Sequence, residues 1–316
     1  MGRYWAYFDG DERVTDRDTI ERLNSIALPP AYANAWFCKD PDGHLQATGI
    51  DARGRKQYRY HRLFREQREC SKFNGIIEFG QALPKIRREV DRDLRKRELN
   101  KEKVVAGVIR LLDDDYLRVG NREYTRKNKS FGATTLLSRQ VQDNGGKVKM
   151  RFRGKSGIEQ EVTITDRTLR RLVRQLQELP GQALFQYVNG DGNPHPITSG
   201  DVNNYIRDAS GGEFTAKHFR TWGASVLAFE QLMNHAETKR ISVETMVEPV
   251  AEALGNTVAI SRKAYVHPAL IDAVKQRPRD PLNGIERPRA RKWLSDCEVG
   301  LLQFLTKCSK RKKTAA

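Results

Sequence analysis

The sequence predicts an α+β protein with a small strand-rich N-terminal domain, residues 1–75, and a larger, mainly helical C-terminal domain, residues 76–316. The length of 316 residues suits two domains better than one. Short strand patterns separated by Pro and Gly turns fill the first part, whereas apolar residues at helical spacing dominate the rest. One clear β-hairpin, between Lys147 and Ile164, interrupts the helical part.

The composition indicates a globular protein with a strongly basic surface. Hydrophobic residues make up 38% and charged residues 31%, and the net charge is +17. Such an excess predicts a polyanionic partner, with nucleic acid as the first candidate and a membrane surface as the second. No apolar run of about 18 residues is present to span a bilayer, and Met1–Trp5 lacks an apolar signal region. We therefore expect a cytoplasmic protein without a membrane partner.

Neither the cysteines nor the acidic residues suggest a metal site. Cys38, Cys70, Cys297 and Cys308 are scattered without a Cys-x-x-Cys pair, which predicts free thiols in a reducing compartment. The histidines show no metal-ligand spacing. The run Asp113–Asp115 cannot chelate one ion from a regular helix, because adjacent positions differ by about 100°. We expect no metal and no other cofactor.

A basic and aromatic strand lies near the end of the N-terminal domain, within Arg53–His61. In a strand, Gln57 and Arg59 face one way while Tyr58 and Tyr60 face the other. Arginine can neutralise phosphate, glutamine can pair with adenine, and tyrosine can bond phosphate, so the strand suits DNA. The alternative is a solvated edge strand whose tyrosines pack on the core, and the residues alone leave both readings open.

The next part of the chain reads as helical. Pro84 is expected to begin the second long helix, since proline is tolerated in a first turn. Val104, Val105, Val108, Leu111 and Leu112 form an apolar helical stripe that we expect in the core. Gly120 and Asn121 are typical helix-end residues, which would place Arg118 in a last helical turn.

Lys155 is expected at the exposed tip of the predicted hairpin. The turn is Gly154-Lys155-Ser156-Gly157, between alternating strands. Its Gly-Lys-Ser letters do not make a phosphate-binding P-loop, because position 149 is Lys rather than the required Gly. Further along, Thr215 is a plausible helix cap, which would put Lys217 and Arg220 on one helix face.

Near the C-terminus, the loop Leu254-Gly255-Asn256 opens a helix capped by Thr257. Tyr265 follows Asn256 by nine positions, a helical rise of about 13.5 Å, so the two groups meet only if the segment bends or a ligand spans them. The final run Lys307–Lys313 predicts a basic, disordered tail that binds DNA non-specifically.

These motifs together resemble the type IB DNA topoisomerases of the small poxvirus-like and bacterial branch. The resemblance rests on Leu-Gly-Asn, Ser-x-x-Ala-Tyr, Lys-x-x-Arg, Arg-x-Gly-x-x-x-Tyr and Gly-Arg-Lys-Gln-Tyr-x-Tyr, and it covers nearly the whole chain. It implies five catalytic residues in the family order: Arg118, Lys155, Arg220, Asn256 and Tyr265. It also implies contacts with the DNA duplex from Arg55, Gln57, Tyr58, Tyr60, Tyr124 and Lys217.

The resemblance implies relaxation of supercoiled DNA without ATP. Tyr265 would form a 3′-phosphotyrosyl intermediate, Lys155 would act as general acid, and the free 5′ strand would rotate before religation. Poxvirus-type enzymes carry His where this chain has Asn256, so its role would be neutral hydrogen-bond donation, as in bacterial relatives that also show Asn. The protein would act as a monomer at the nucleoid, with both domains forming a C-shaped clamp on double-stranded DNA.

Two other functions fit part of the sequence. A tyrosine recombinase would use the same chemistry, but such enzymes usually begin the His-x-x-Arg box with His, where this chain has Lys217. They also carry an all-helical DNA-binding domain, whereas residues 1–75 look strand-rich. A non-enzymatic architectural DNA binder would explain the charge without requiring the ordered motifs.

Overall fold

The computed structural model describes residues 5–71, 73–190, 192–235, 241–276 and 288–314, with their side chains except at 67–71, 276 and 311–314. The chain separates into two compact units, Met1–Asn74 and Gly75–Ala316. Each unit contains both helices and strands. The mixed helix-and-sheet class predicted from the sequence is therefore confirmed.

The first unit is built around a three-stranded antiparallel sheet. Its elements in chain order are β1 (Phe8–Asp9), β2 (Glu12–Arg13), α1 (Arg17–Ser25), β3 (Ala33–Phe37), β4 (Leu45–Ile50), β5 (Lys56–Tyr60) and α2 (Arg62–Ser71). The sheet order is β3-β4-β5, and β1 and β2 form a separate short pair. Strand β5 is therefore an edge strand with one side of its backbone unpaired within the sheet.

Small residues allow β4 to be buried in the middle of this sheet. A Cβ at Gly49 would lie 3.0 Å from Cβ of Tyr32, so the tyrosine packs directly on the strand backbone. In contrast, Tyr58 and Tyr60 of β5 are 48% and 38% exposed. Their rings stack with 6.2 Å between centroids. The alternative in which these tyrosines pack on the core is therefore wrong.

The second unit is mainly helical and carries a second three-stranded sheet. Its elements are α3 (Ile76–Leu94), α4 (Lys101–Asp114), α5 (Arg122–Asn128), β6 (Val141–Asp143), β7 (Val148–Arg153), β8 (Glu159–Ile164), α6 (Arg167–Gln177), β9 (Gln186–Val188), β10 (Pro194–Pro196), α7 (Ser199–Ser210), α8 (Ala216–Asn234), α9 (Val243–Leu254), α10 (Val258–Ala264), α11 (Pro268–Gln276) and α12 (Asp296–Thr314). The predicted hairpin is confirmed as β7 and β8, with β6 added on the other edge of β7.

The core of this unit follows the apolar helical patterns. The predicted α4 stripe is confirmed, since its members are all buried: Val104, Val105, Val108, Leu111 and Leu112. Helix α8 lies in the same core, where Phe219, Trp222 and Phe229 are almost fully buried. A helix hydrophobic around much of its circumference is stabilised by burial rather than by its intrinsic propensity.

Two sequence predictions about helix ends are wrong. Pro84 lies inside α3 rather than at the start of a helix. The residue four positions earlier is Gly80, whose missing side chain lets the ring of Trp222 approach the helix, since a Cβ there would lie 2.3 Å from the ring. The basic C-terminal run is also helical, because α12 continues to Thr314 instead of ending in an unstructured tail.

A buried ion-pair cluster ties four helices together. Arg87 of α3 donates to Asp113 of α4 at 2.6 and 2.9 Å and to Glu298 of α12 at 2.8 Å. Glu298 also accepts a 2.9 Å bond from Nε1 of Trp222 on α8. Although burial opposes its charge, the two carboxylates hold the pKa of Arg87 above its ordinary value. Asp113 therefore serves packing between helices.

Several global features bear on the predicted environment. Within the described residues, Cys38, Cys297 and Cys308 are not joined in disulfide bonds, and the Cys70 side chain lies outside those residues. Among the described residues, none of the helices combines the length and hydropathy that crossing a bilayer requires. The same residues hold no group of three or more His, Cys, Asp or Glu side chains placed to bind a metal ion.

Candidate active site

Helix α8 carries a buried arginine, Arg220, at the bottom of the site. Arg220 is only 5% exposed, and its guanidinium donates to the backbone carbonyls of Tyr116 and Leu254, the latter at 3.1 Å. Burial and the nearby charge of Arg118 lower the pKa of Arg220 to about 10, so it remains a cation at neutral pH. Its buried Nε has no hydrogen-bond partner within the described structure. A polar ligand could accept from that atom.

Arg220 is positioned by a backbone carbonyl rather than by an acidic side chain. Helix α4 ends at Asp114, and Tyr116 has a left-handed φ of 52°. The ring of Tyr116 lies against α8 at Gly223, where an added Cβ would be 2.1 Å from a ring carbon. Gly223 therefore allows the close approach that brings the Tyr116 carbonyl to Arg220.

Arg118 lies in an extended loop and not in a last helical turn, so the sequence prediction for its local structure is wrong. The carbonyl of Arg118 accepts from the backbone of Ala133 at 2.8 Å. Gly120 has a φ of 97°, and a Cβ at Gly132 would lie 2.6 Å from the Arg118 carbonyl oxygen. The loop is therefore held by contacts with the segment at Gly132 and Ala133 rather than by helical hydrogen bonds.

Asn256 is oriented by Arg118. Nη2 of Arg118 donates to Oδ1 of Asn256 at 2.8 Å. Because arginine can only donate, the oxygen of the amide must face it, which turns the Asn256 nitrogen elsewhere. That Nδ2 is buried and has no partner in the described part of the chain. Gly255 ends α9 with a left-handed φ of 59°, which starts the loop that carries Asn256.

Tyr265 lies at the C-terminal end of the short helix α10. Thr257 caps this helix, as predicted, by accepting from the backbone of Ile260 at 3.2 Å. The Tyr265 backbone donates to the Ser261 carbonyl at 3.0 Å. The guanidinium carbon of Arg220 is 5.0 Å from the centroid of the Tyr265 ring. The α10 segment therefore brings the tyrosine back toward the two arginines.

The charges around Tyr265 favour its ionised form. Burial by itself would raise the pKa of the phenol, but the positive charges of Arg220, Arg118 and Lys155 outweigh it and lower the pKa of Tyr265. An opposite charge within a few ångströms stabilises an anion most strongly where water is excluded. A tyrosine held this way is a better nucleophile than one in solution.

Lys155 occupies the hairpin tip, as predicted. It begins the tight turn Lys155–Gly157 between β7 and β8, in which Ser156 has a φ of 65°. The lysine is exposed, yet its charge acts on Tyr265. The hairpin also touches the Asn256 loop, because a Cβ at Gly255 would lie 2.5 Å from Nε2 of Gln160 on β8.

The five residues named as catalytic from the sequence thus share one electrostatic environment. The other predicted contacts lie elsewhere. Tyr124 is 45% exposed in the first turn of α5. Lys217 and Arg220 are one turn apart on α8, as the sequence predicted, but Lys217 is exposed while Arg220 is buried. Arg55, Gln57, Tyr58 and Tyr60 belong to the turn before β5 and to β5 itself, in the first unit.

Sequence reasoning missed the residues that hold the arginines. The carbonyl of Tyr116 and the small size of Gly223 act through backbone and shape, so their letters carry no motif. Gln160 is likewise an ordinary polar residue of a strand until the fold brings Gly255 against it. A signal could have come from the clustering of glycines next to the catalytic motifs, since glycine often marks close backbone approach.

Two family models match this chain. Residues 61–280 match the family model described as eukaryotic DNA topoisomerase I, catalytic core. Residues 4–51 match that of the bacterial DNA topoisomerase IB N-terminal domain. Together the two models account for most of both structural units.

Individual relatives point the same way. The chain is 33% identical over 286 residues to a DNA topoisomerase 1B of Acanthamoeba polyphaga mimivirus, covering 87% of this chain and 85% of that protein. It is 21% identical over 287 residues to a DNA topoisomerase 1 of Rabbit fibroma virus, covering 84% and 87%. A solved XerH site-specific recombinase in a post-cleavage complex matches 58% of this chain and 47% of its own, with 18% identity and a TM-score of 0.39, which is too low to establish a shared fold. The chain belongs to the DNA topoisomerase I family, as a small type IB topoisomerase of the poxvirus-like and bacterial kind.

Proposed function

We propose that this protein relaxes supercoiled DNA by cutting one strand through Tyr265, allowing rotation, and rejoining the strand. The observation that carries the proposal is the position of Tyr265, whose ring centroid is 5.0 Å from the guanidinium carbon of the buried Arg220, in a site where Arg118 and Lys155 also favour the ionised phenol. A tyrosine that only packs in the core does not require several cations near its hydroxyl group. A nucleophile that must attack an anionic phosphodiester does need them, because the attack adds negative charge.

The cleavage step conserves the bond energy of the backbone. The Tyr265 phenol loses its proton to water, its Oη attacks phosphorus, a Tyr–O–P bond forms to the 3′ phosphate, and the bond from phosphorus to the 5′ oxygen breaks. Lys155 gives a proton to the departing 5′ oxygen, which leaves as a hydroxyl. Religation reverses the same bonds and protons, so the reaction requires no ATP and no redox partner.

The remaining residues stabilise the charge that develops on the nonbridging phosphate oxygens. Arg118 and Arg220 supply two fixed cations, whose planar guanidinium groups suit phosphate geometry. Two buried donors support this assignment, because Nε of Arg220 and Nδ2 of Asn256 have no hydrogen-bond partner in the described structure. Buried donors of this kind are costly unless a ligand accepts from them. A phosphodiester offers the oxygens that would do so.

The wider DNA contacts are part of the same proposal. Exposed aromatic and basic residues of the first unit would bind the duplex, and Tyr124 and Lys217 would contact phosphates near the site. We propose that the two units form a C-shaped clamp around double-stranded DNA. The protein would act as a monomer, since all five proposed catalytic residues come from one chain, and it would work on nucleoid DNA in the cytoplasm.

A relaxation assay in chelator and without ATP tests the function. The full-length protein should relax both negatively and positively supercoiled circles of any sequence, whereas Tyr265→Phe should bind DNA equally well but form no covalent adduct. A recombinase would act only at its own sites, and an architectural binder would leave the linking number unchanged after deproteinisation. If the wild-type protein behaves in either of those ways, or if Tyr265→Phe still forms the adduct, the proposal is wrong.

A further inference from the structure

The turn between β4 and β5 is organised by one carboxylate, Asp51. Its Oδ1 accepts from the backbone N–H groups of Arg53 at 2.9 Å and Arg55 at 3.0 Å. The backbone of Asp51 also pairs with that of Arg55, at 3.0 Å. One oxygen of the side chain therefore folds the turn, as aspartate commonly does in such loops.

The second oxygen of the same carboxylate binds two side chains that face nucleic acid in the proposed function. Oδ2 of Asp51 accepts from Nε of Arg55 at 2.8 Å and lies 2.7 Å from Nη2 of the same residue. It also accepts from Nε2 of Gln57 at 2.9 Å. The Asp51 side chain is only 9% exposed, whereas the Arg55 side chain is 56% exposed and accessible to a polyanion.

These contacts determine how both side chains are presented. The side-on pair with Asp51 sets the plane of the Arg55 guanidinium. Because a carboxylate can only accept, the nitrogen end of the Gln57 amide must face it, and this sets the direction of the amide oxygen. Hydrogen bonds from the side chain and backbone of Arg55 lower the pKa of Asp51 to about 2, so the carboxylate stays ionised at neutral pH.

A carboxylate at this position is a disadvantage for binding phosphate alone. Its negative charge opposes that of the DNA backbone and offsets part of the charge of Arg55. Its benefit is preorganisation, since ordering a long side chain on binding weakens an equilibrium by about two- to twelvefold. Preorganised planar groups contribute most where hydrogen bonds must match the edge of one base.

We propose that Asp51 is a positioning residue for sequence readout, which orients Arg55 and Gln57 toward base edges at the preferred cleavage site. The inference rests on the proposed function, because it assumes that β5 contacts the DNA that Tyr265 cleaves. It assigns to Asp51 a role in site choice and none in the chemical step.

Asp51→Asn distinguishes the role of the oxygen that folds the turn from that of the oxygen that binds Arg55 and Gln57. The asparagine keeps one oxygen for the turn and replaces the other acceptor with an NH₂ group, which cannot accept from Arg55 or Gln57. Asp51→Ser is a second variant, since a hydroxyl can support the same kind of turn and supplies no second oxygen. Asp40→Asn is the matched control, because Asp40 holds the other turn of the sheet by accepting from the backbone of Asp42 at 2.9 Å.

The readout is the rate of covalent adduct formation at the strongest site on a plasmid relative to the median site, mapped for the full-length protein. Asp51→Asn and Asp51→Ser should each lower this ratio about three- to tenfold, while Asp40→Asn leaves it unchanged. In an Arg55→Ala/Gln57→Ala background the Asp51 variants should cause no further loss. A purely structural role would add to the loss in that background, and this outcome would overturn the inference.

Two further outcomes would also overturn it. In the first, selectivity is retained while the log–log salt slope of binding steepens by up to about one unit, which would make Asp51 only a partner that neutralises Arg55. In the second, Arg55→Ala/Gln57→Ala cleaves with unchanged site preference. Failure of the proposed function is distinguishable from both, because the wild-type protein would then form no adduct at any site.

Discussion

Arg118 donates a 2.8 Å hydrogen bond to the side-chain oxygen of Asn256, and this bond leaves the Asn256 nitrogen buried without a partner in the described structure. The two residues lie 138 positions apart in the chain. An arginine that holds an amide by its oxygen keeps the N–H₂ end available for a phosphate oxygen. In the proposed function the pair would act as one anion-binding unit in which each member orients the other.

Replacing Asn256 by Asp tests this relationship. The carboxylate can still accept from Arg118, but it removes the donor and places a negative charge beside the proposed phosphate. We expect single-turnover cleavage to fall about 10²–10³-fold, similar to the loss of one preorganised oxyanion donor. Asn256→His, which keeps an N–H donor, should lose much less activity. Equal activity of Asn256→Asp and the wild-type protein would show that the amide nitrogen does not contact the reacting phosphate.

The pH dependence of cleavage should report the cations around Tyr265. Because Arg220, Arg118 and Lys155 lower the pKa of Tyr265, the rate should rise with pH and level off below the ordinary tyrosine pKa near 10. Arg118→Ala removes one of these charges, so the rising limb should move to higher pH in addition to any loss of maximal rate. The exposed Arg126 of α5 provides a control of equal charge, and Arg126→Ala should leave the limb in place. If the pH–rate profile of Arg118→Ala rises over the same pH range as that of the wild-type protein, Arg118 does not lower the pKa of Tyr265.

Lys155→Ala should be rescued by a substrate with sulfur at the 5′-bridging position. An alkoxide leaves poorly without a proton, so loss of the general acid should slow cleavage about 10²–10⁴-fold. A thiolate needs no proton, because a thiol pKa is near 8.5. Single-turnover rates on the oxygen and sulfur substrates measure the difference.

The same sulfur substrate should not rescue Tyr265→Phe, which lacks the nucleophile. Equal slowness of Lys155→Ala on both substrates would make Lys155 a phosphate-binding residue. The acid would then be sought at Lys217 or Arg118.

Gly223→Ala should disturb the site by displacing Tyr116, whose carbonyl accepts a hydrogen bond from Arg220. The added Cβ would lie 2.1 Å from the ring of Tyr116, so the ring and its carbonyl must shift away from Arg220. We expect a loss of about 1–3 kcal/mol in the free energy of unfolding, as for other overpacked positions, with a larger relative loss in cleavage than in DNA binding. Gly190→Ala is the control, since nothing lies within 4 Å of a Cβ there. If Gly223→Ala cleaves DNA at the wild-type rate, the position of the Tyr116 carbonyl does not matter for the function of Arg220.

Asp115 should make the stability of the fold depend on pH. Burial raises its pKa from 3.8 to about 6, so the ionised form destabilises the folded state. This penalty is absent below about pH 3.8 and complete above about pH 6. Asp115→Asn should therefore raise the free energy of unfolding at pH 8 by up to about 3 kcal/mol and have little effect at pH 4. The exposed Asp208 on α7 is the control, and an Asp115→Asn variant without pH dependence would refute the prediction.

The sequence alone determined the features that depend on local pattern. Alternation predicted the β7–β8 hairpin, and helical spacing predicted the buried stripe of α4. The cap at Thr257 was also readable, because a cap uses only neighbouring residues. The five catalytic candidates came from the resemblance of the ordered motifs to the type IB topoisomerases, which implied Arg118, Lys155, Arg220, Asn256 and Tyr265.

Only the tertiary structure decided where the side chains point and what holds them. Arg118 left its expected helical turn because Tyr116 adopts a left-handed conformation to pack on Gly223. Arg220 became buried while Lys217, one turn earlier on the same helix, stayed exposed, since burial depends on what the rest of the fold places against each side chain. Such long-range contacts join residues about a hundred positions apart, and no local spacing encodes them. The positive charges that lower the pKa of Tyr265 are therefore brought together by the folded chain and not by any single motif.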